Sequence, residues 1–292
     1  MILFASPGAS AIEKGVMAWY ARLRGAAALI LPRGAPPDVG PPSVWRNVLF
    51  AICYRAADKL VCQGQAWHRF AVSGLGFEPE DAPIIRNWTA TPELLRIGGL
   101  RQAHAAEPVR LLFLGWLERE KGVLDLLEAC ARLPENSPFE LELIGDGHAM
   151  PEARIHVAAH GLTGKVKFHG WLQGEAKNAV LARSDVLVLP SWSEGLPNAM
   201  IEAMAAKLSV VVTAVGNIPD VVTTGKNALV VPPRDPEALS LALHRIITDG
   251  ALRDRLSRAA FNLAQSSFGV EPAVERLLAE CQAAIAKRRR TP

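Results

Sequence analysis

The sequence predicts an α/β protein made of two doubly wound parallel sheets. Apolar runs of strand length alternate along most of its 292 residues with amphipathic segments of helix length. Consecutive parallel strands need helical crossovers of this size, whereas antiparallel strands are joined by short turns. Half of the residues are hydrophobic and 21% are charged, which is the composition of a globular chain long enough for two cores.

The predicted elements form two groups, separated by a polar stretch at residues 89–107 that contains Gly98 and Gly99 and is interpreted as a linker. Before it, strands are expected at 1–5, 26–31, 59–62 and 82–85, with helices at 11–24, 44–57 and from 66. After it, strands are expected at 110–114, 141–144, 166–169, 186–189, 209–213 and 229–231, with helices between and after them. We therefore predict an abbreviated first domain at 1–95, a second domain at 96–270, and a C-terminal helix with a basic tail at 271–292 that returns to the first domain.

Charge and cysteine usage narrow the classes of function. The net charge is only +3, and no basic stripe is interleaved with aromatic residues, which argues against nucleic-acid binding. The four cysteines are scattered in apolar contexts and are expected to be buried thiols rather than disulfides or metal ligands: Cys53, Cys62, Cys130 and Cys281. Because the sequence also shows no signal-peptide pattern and no apolar run of membrane-spanning length, we expect a cytoplasmic protein.

Two segments allow peripheral contact with the inner face of the cell membrane. The tail Lys287-Arg288-Arg289-Arg290 is basic, and the predicted helix 44–57 carries Trp45 and Phe50. Four charges are few for stable anchoring, and an apolar helix is more often part of a core. A solvated tail and a core helix are therefore the favoured interpretations.

The strongest functional signal is the stretch SWSEGLPNAMIEAMA, residues 191–205, which follows the predicted strand 186–189. Pro197 stands where a helix commonly begins, because its missing N–H would have no helical partner there. The amides near Leu196, Asn198 and Ala199 would then offer an anion-binding site at the positive end of the helix dipole.

Two carboxylates flank this helix start. Glu194 precedes it, and Glu202 follows after seven intervening residues, roughly 8 Å along the axis from Pro197 at the usual helical rise. A sugar nucleotide, with hydroxyl groups at both ends and a diphosphate between them, matches this layout. The alternative is that Glu194 only complements the helix dipole and that Glu202 is a solvated helix residue.

This string resembles the Glu–seven-residue–Glu signature of retaining glycosyltransferases with the GT-B architecture, of the large family 4. The likeness is close to full over residues 57–285, and Ile84-Ile85-Arg86-Asn87 stands where the family has Ile-Pro-Asn-Gly. The resemblance implies a GT-B-like fold of two Rossmann-like domains, a nucleoside diphosphate sugar as donor, and a glycan or lipid-linked acceptor. It assigns Glu194 to the donor sugar, Glu202 to the ribose, and the segment from Gly195 to Ala199 to the diphosphate.

The resemblance also places the family's phosphate-binding lysine at Lys121, six residues after Gly115. Trp116 stands where the family has an arginine, and Arg119 is close enough in sequence to replace that charge. Cations there would stabilise the departing diphosphate, so Glu194, Lys121 and Arg119 are the candidate catalytic residues. The alternative for Lys121 is a solvated loop lysine.

Glycine-containing loops complete the resemblance. Gly145-Asp146-Gly147 and Gly216 correspond to donor-site loops of the family, although each alone is as typical of an ordinary turn. The segments 115–122, 145–149, 191–197 and 214–219 all follow predicted parallel strands, so we expect them at one edge of the sheet. His156 and His160 have the i, i+4 spacing of zinc ligands, but no third ligand is evident, and they are interpreted as surface histidines.

The sequence contains no Asp-x-Asp pair, which predicts stabilisation of the diphosphate without a metal ion, and no other cofactor is implied. The front of the chain departs from the family, because the first domain is short and Pro32-Arg33-Gly34 stands where a His-Gly is expected. The predicted reaction is transfer of a hexosyl group to a hydroxyl acceptor with retention of anomeric configuration. The alternatives are a non-catalytic or partner-dependent nucleotide-sugar binding module and, less favoured, a sugar-nucleotide epimerase.

Overall fold

The structure is a computed structural model that describes residues 1–6, 9–36, 48, 51–102 and 108–290, without the side chain of Arg290. Six of the fourteen residues of the predicted helix 44–57, among them Trp45 and Phe50, lie outside these residues, and of the remainder 48 and 51–54 are helical. The chain divides into two compact units. The first unit comprises Met1–Asn87, Glu194–Leu196 and Val270–Pro292, and the second comprises Trp88–Ser193 and Pro197–Gly269.

Strands and helices alternate in both units. The strands are β1 (Ile2–Ala5), β2 (Leu29–Pro32), β3 (Lys59–Leu60), β4 (Val109–Leu114), β5 (Phe139–Ile144), β6 (Val166–Gly170), β7 (Val186–Leu189), β8 (Ser209–Thr213) and β9 (Leu229–Val231). The α-helices are α1 (Ala9–Leu23), α2 (Gln65–Arg69), α3 (Pro92–Leu100), α4 (Val123–Ala131), α5 (Met150–Ala159), α6 (Gly174–Arg183), α7 (Asn198–Ala205), α8 (Pro236–Thr248), α9 (Gly250–Ser267) and α10 (Val270–Arg290). A π-helical turn, Phe70–Gly74, extends α2, and 3-10 turns occur at Pro79–Asp81, Arg119–Lys121 and Ile218–Asp220.

The first unit contains a parallel three-stranded sheet in the order β1-β2-β3. The strand predicted at 82–85 was wrong, because the structure forms only an isolated bridge between Cys62 and Ile84. The Cys62 N–H donates to the carbonyl oxygen of Pro83 at 2.8 Å, and the Ile85 N–H donates to Cys62 at 2.9 Å. Pro83 itself has no N–H to donate, so it cannot add to a longer ladder.

Helix α10 is tied to the rest of the first unit by ion pairs near its C-terminus. Lys287 Nζ donates to Asp81 at 2.5 Å, and this hydrogen bond raises the pKa of the Lys287 ammonium. The Arg288 guanidinium lies 3.2 Å from a carboxylate oxygen of Asp58. Cations are also favourable at the negative end of a helix dipole. Lys287 and Arg288 therefore stabilise this end of α10 both through their ion pairs and through the dipole.

The second unit contains a parallel six-stranded sheet in the order β6-β5-β4-β7-β8-β9. Strands β4 and β7 are neighbours in the sheet although they are far apart in sequence, with Leu111 opposite Val186 and Leu112 opposite Leu187. The chain therefore runs outward from β4 in one direction and from β7 in the other. In such sheets ligands bind beyond the carboxyl ends of the strands at this switch point.

Helix α3 lies within the stretch predicted to be a linker, so that part of the prediction was wrong. The Thr91 hydroxyl accepts from the Leu94 N–H at 3.3 Å and caps the helix, and Pro92 begins it. Leu94 and Gly98 are buried. Gly98 permits this packing, because a Cβ at this position would overlap the carbonyl oxygen of Ala205 at the end of α7.

The cysteines are free thiols, and Cys53, Cys62 and Cys130 are buried as predicted, whereas Cys281 is half-buried. Burial raises the pKa of the Cys62 and Cys130 thiols to about 12, so these two are poor nucleophiles at neutral pH. In the part of the chain that the structure describes, every helix is too short or too polar to cross a membrane.

The neighbouring glycines of α3 provide a matched test of this packing. A Cβ at Gly98 would also lie 2.6 Å from the Phe261 ring, whereas a Cβ at Gly99 would meet nothing within 4 Å. We expect Gly98→Ala to lower the free energy of unfolding by about 1–3 kcal/mol through overpacking. Gly99→Ala should raise it by about 0.5–1 kcal/mol, because alanine favours the helix. Urea unfolding of both variants measures this, and equal effects would contradict the packing of α3.

Candidate functional site

The turn that carries Lys121 lies at the switch point of the second unit, against the end of β7. Gly122 has a φ of +71° and is the N-cap of α4, and a Cβ at this position would overlap the carbonyl oxygen of Pro190. The Trp192 N–H donates to the carbonyl oxygen of Glu120 at 2.8 Å, and its indole N–H donates to Asp125 at 2.7 Å. The Lys121 turn and residues 190–192 are therefore held together by a close backbone contact and two hydrogen bonds.

The loops after β4 and β5 are interlocked beside this turn. Gly145 and Gly147 have φ values of +143° and +156°, and a Cβ on either would overlap a carbonyl oxygen, that of Gly115 or that of Leu117. The Gly115 N–H donates to Ile144 at 3.0 Å, and the Leu117 N–H donates to Asp146 at 2.8 Å. The two glycines are therefore required by backbone conformation and by close approach, beyond the needs of an ordinary turn.

A side-chain contact joins the same two loops. The Glu118 Oε1 atom accepts from the backbone N–H of His148 at 3.1 Å and lies 2.9 Å from the Nδ1 atom of the His148 ring. These hydrogen bonds lower the pKa of the Glu118 carboxyl group. They add a side-chain connection between the same two loops.

The two candidate phosphate-binding cations have different surroundings. Lys121 is half-buried in its 3-10 turn, whereas Arg119 is exposed and its guanidinium lies 2.6 Å from Glu152 on α5. Exposed ion pairs contribute only about 0–1 kcal/mol, so a phosphate could replace Glu152 at small cost. The sequence alone gave no sign that Arg119 would have this partner.

Two tryptophans stand beside the candidate site at the carboxyl ends of β4 and β6. The rings of Trp116 and Trp171 have their centroids 4.6 Å apart with an angle of 33° between their planes, and both are half exposed. Trp116 therefore packs against another aromatic ring at the position where the resemblance implies an arginine. The sequence did not indicate that Trp171 would be its neighbour.

Glu202 is not a solvated helix residue, because it forms an ion pair with Lys177. The Lys177 Nζ atom of α6 lies 2.6 Å from Glu202 Oε2 on α7, and the two side chains are only 21% and 16% exposed. Lys177 was missed by the sequence analysis, since no motif marks it and 25 residues separate it from Glu202. Any ligand hydroxyl that reaches Glu202 would meet a carboxylate already oriented by this lysine.

The segment Glu194–Leu196 belongs to the first unit, where Asn87 binds it. The buried Asn87 side chain donates to the Leu196 carbonyl oxygen at 2.6 Å and accepts from Arg33 at 2.5 Å and Gln63 at 2.8 Å. A Cβ at Gly195 would overlap the Gln63 side chain and the Gly34 carbonyl oxygen. Burial lowers the pKa of Arg33. Within this unit, Arg33 and Gly34 therefore form a support for the segment that carries Glu194.

Helix α7 begins at Asn198, one residue later than predicted, and Pro197 is its N-cap. Proline has no side-chain oxygen, so Pro197 does not cap the amides of the first turn with its side chain. Ala199 is half-buried in this turn, and Gly216 is exposed in the loop after β8 with a φ of +59°.

His156 and His160 are accompanied by an acidic residue that the sequence analysis did not identify. His156 Nε2 lies 3.2 Å from Glu128 on α4, and possible ligand atoms of the three side chains lie within 4.8 Å of one another. His160 is exposed, as predicted for a surface histidine, whereas His156 is half-buried with its side chain 18% exposed. The two imidazole rings stack with centroids 4.0 Å apart and planes 17° apart, so one ion could not lie in both ring planes without a change of rotamer.

The second unit is thus a doubly wound domain with three features at one end of its sheet: a switch point between β4 and β7, a turn that carries Lys121, and interlocked glycine loops beside it. The family model for glycosyl transferases group 1 matches residues 101–263, which is more than half of the chain. The chain belongs to this family.

Two curated relatives show how much of a longer protein the chain matches. The lipopolysaccharide core biosynthesis glycosyltransferase LpsE of Rhizobium meliloti is 30% identical over 218 residues, which are 75% of this chain and 62% of LpsE. Glycogen synthase of Mycobacterium tuberculosis is 32% identical over 162 residues, which are 55% of this chain and 39% of that protein. The chain therefore spans less than two thirds of the length of these relatives.

Solved structures confirm the fold prediction. The Anabaena protein HepE, in complex with UDP, has a TM-score of 0.77 at 19% identity, covering 97% of this chain and 78% of HepE. Sucrose-phosphate synthase from Thermosynechococcus elongatus has a TM-score of 0.79 at 21% identity, covering 98% of this chain and 74% of that one. The GT-B-like α/β fold predicted from the sequence is thus confirmed.

The Lys177–Glu202 pair can be tested by a double-mutant cycle that uses Lys177→Met, Glu202→Gln and the double variant. Because both groups are largely shielded from water, we expect a coupling energy of about 1–2 kcal/mol in urea unfolding. The exposed pair of Lys167 and Glu140, 3.3 Å apart on β6 and β5, is the control and should couple by no more than about 0.5 kcal/mol. Equal coupling in the two pairs would show that Lys177 does not orient Glu202.

Proposed function

We propose that this chain is a glycosyltransferase that uses a nucleoside diphosphate sugar and retains the anomeric configuration of the transferred hexose. The observation that carries the proposal is the contact of Gly122 with Pro190 in the second unit. It holds the Lys121 turn beside the loop that leads into the Glu194–Glu202 segment. Membership of the group 1 family and the UDP complex of HepE support the choice of ligand.

The proposed donor site assigns one role to each group. Lys121, with Arg119 released from Glu152, neutralises the diphosphate, and the first-turn amides of α7 after Pro197 add the positive end of a helix dipole. Glu202, oriented by Lys177, accepts from the ribose hydroxyl groups. Glu194 accepts from hydroxyl groups of the donor sugar. Gly115, Gly145, Gly147 and Gly216 allow backbone to approach the ligand closely.

The proposed mechanism needs no metal ion and no covalent intermediate with the protein. As the bond between the anomeric carbon and the diphosphate breaks, negative charge develops on the leaving oxygen, and Lys121 stabilises it. That oxygen takes the proton of the acceptor hydroxyl, which attacks on the face that the diphosphate leaves. Departure and attack on the same face retain the configuration.

The acceptor is proposed more broadly, as a glycan or a lipid-linked saccharide. LpsE is described as a lipopolysaccharide core biosynthesis enzyme and the second relative as a glycogen synthase, so saccharide acceptors of different kinds occur among the relatives. Binding of the donor nucleotide and catalysis can therefore be tested without knowing the acceptor.

Calorimetric titration with UDP, GDP and ADP tests the donor site. We expect one nucleotide to bind selectively, and Glu202→Ala to weaken its binding about 10-fold or more, because hydrogen bonds to a charged group contribute about 1.5–3 kcal/mol. The control is Glu135→Ala, which removes the same charge from an exposed turn before β5. This turn lies at the amino ends of the strands, whereas the candidate site lies at their carboxyl ends. A folded protein that binds none of the three nucleotides would refute the donor-site assignment.

Donor hydrolysis, a slow transfer to water, tests catalysis without a known acceptor. With the hexose donor of the nucleotide that binds, proton NMR should show that the sugar released first has the anomeric configuration of the donor. Glu194→Gln should lower this rate about 100-fold and leave nucleotide affinity within about twofold, because its carboxylate faces the sugar. Donor binding with no hydrolysis or transfer would identify a binding module, and release of the opposite anomer would refute retention.

A further inference from the structure

Helix α1 of the first unit is apolar on two faces, and the small residues are on the inner one. Its buried residues are Ala11, Gly15, Ala18 and Ala21. A Cβ at Gly15 would lie 2.5 Å from the Cβ of Cys53, so the helix is packed as closely as its backbone allows. The inner face is therefore complete without any of the large side chains of α1.

The large apolar side chains of α1 form an exposed stripe, which we call the α1 stripe: Ile12, Val16, Trp19, Tyr20 and Leu23. They recur at intervals of three and four residues, so they share one side of the helix. Leu23 is 83% exposed and Val16 is 63% exposed. Ile52 extends the stripe, because its carbonyl oxygen accepts from the Trp19 indole N–H at 3.2 Å and its side chain is exposed.

Basic side chains gather where the stripe ends. Arg22 lies over the Trp19 ring and Arg24 over the Tyr20 ring, with guanidinium carbons 5.7 Å and 5.3 Å from the ring centroids. The C-terminus of α10 adds more, because Arg288 lines one cavity with Arg22 and a second cavity with Arg289 and Met1.

Acidic groups offset only part of this charge. The cavity that contains Arg22 and Arg288 is also lined by Arg55 and Lys287, and by Asp58, Glu78 and Asp81. On α1 itself, Glu13 is paired with Lys14 at 2.9 Å. Lys287 and Arg288 are paired with Asp81 and Asp58, and Glu80 and Glu280 lie close by with Lys59. The positive charge at the end of the stripe therefore comes mainly from four arginines: Arg22, Arg24, Arg55 and Arg289.

We propose that the α1 stripe and the basic cluster at its end dock the first unit on an anionic lipid surface. Such a surface takes an amphipathic helix whose apolar residues enter the headgroup region while arginines contact the lipid phosphates. Tryptophan and tyrosine favour this interface, since each has an apolar ring and one polar group. The competing occupant is a second copy of the chain, because β1 is an edge strand of its sheet and Ile2 and Phe4 are exposed on it. The positive charge favours lipid, because anionic lipid phosphates neutralise it, whereas a second copy adds an equal positive charge.

Flotation with lipid vesicles tests the proposal on the full chain. We expect binding to vesicles in which about a third of the lipid is phosphatidylglycerol, little binding to phosphatidylcholine alone, and release at high salt. The double variant Val16→Glu/Leu23→Glu should bind these vesicles at least about 10-fold more weakly, because it places two carboxylates in the stripe. Arg24→Glu/Arg289→Glu should lose the preference for the anionic lipid.

The matched control is Ile155→Glu/Leu241→Glu, which makes the same change at exposed apolar positions on α5 and α8 of the second unit. It should bind vesicles as the unchanged protein does. Unfolding midpoints identify any variant that fails to fold, and the arginine variant then decides. The proposal is overturned if the unchanged protein does not float with anionic vesicles, or if both double variants of the first unit bind normally. It is also overturned if light scattering shows a dimer that Val16→Glu/Leu23→Glu dissociates while vesicle binding is absent. Nucleotide titration of the same samples is independent of these outcomes.

Discussion

The candidate site depends on one steric constraint, the close approach of Gly122 to the carbonyl group of Pro190. Strands β4 and β7 are neighbours in the sheet, and the segments that leave them must pass each other at their carboxyl ends. Only a residue without a Cβ and with a positive φ fits between them at this point. Because Lys121 directly precedes Gly122, the position of its backbone follows from this steric requirement.

The same principle applies to the glycine loops and explains how much of the site the sequence could predict. Gly115, Gly145, Gly147 and Lys121 were assigned through the family resemblance, and at Gly145 and Gly147 a close backbone approach leaves glycine as a mark in the sequence. Side-chain partners leave no such mark. Lys177 beside Glu202, Glu152 beside Arg119 and Trp171 beside Trp116 are contacts between elements that only the folded sheet brings together. The nature of the candidate groups was thus predictable, but their electrostatic surroundings were not.

Secondary structure was predicted well where apolar periodicity is strong and poorly where glycine or proline has a tertiary role. Strands β7, β8 and β9 begin and end as predicted. Gly98 lowered the expected helical propensity of residues 92–100, although its lack of a side chain is what allows α3 to pack against α7. Asn87 was noticed in the sequence because it lies in a segment that resembles a family motif. Its hydrogen bonds with Arg33, Gln63 and Leu196 are visible only in the structure.

Helix α1 shows a further limit of periodicity. Both of its sides are apolar, so a pattern of polar and apolar residues predicts a helix without telling which side is buried. The structure shows that side-chain size decides which side is buried. The inner side carries alanines and Gly15, which lets the helix backbone approach Cys53, whereas the tryptophan, tyrosine and leucine side chains are exposed. An inner face of small residues gives a close, rigid contact with little apolar area. The larger apolar area of this helix is therefore available for a surface outside the chain, and the arginines around it select one that is negatively charged.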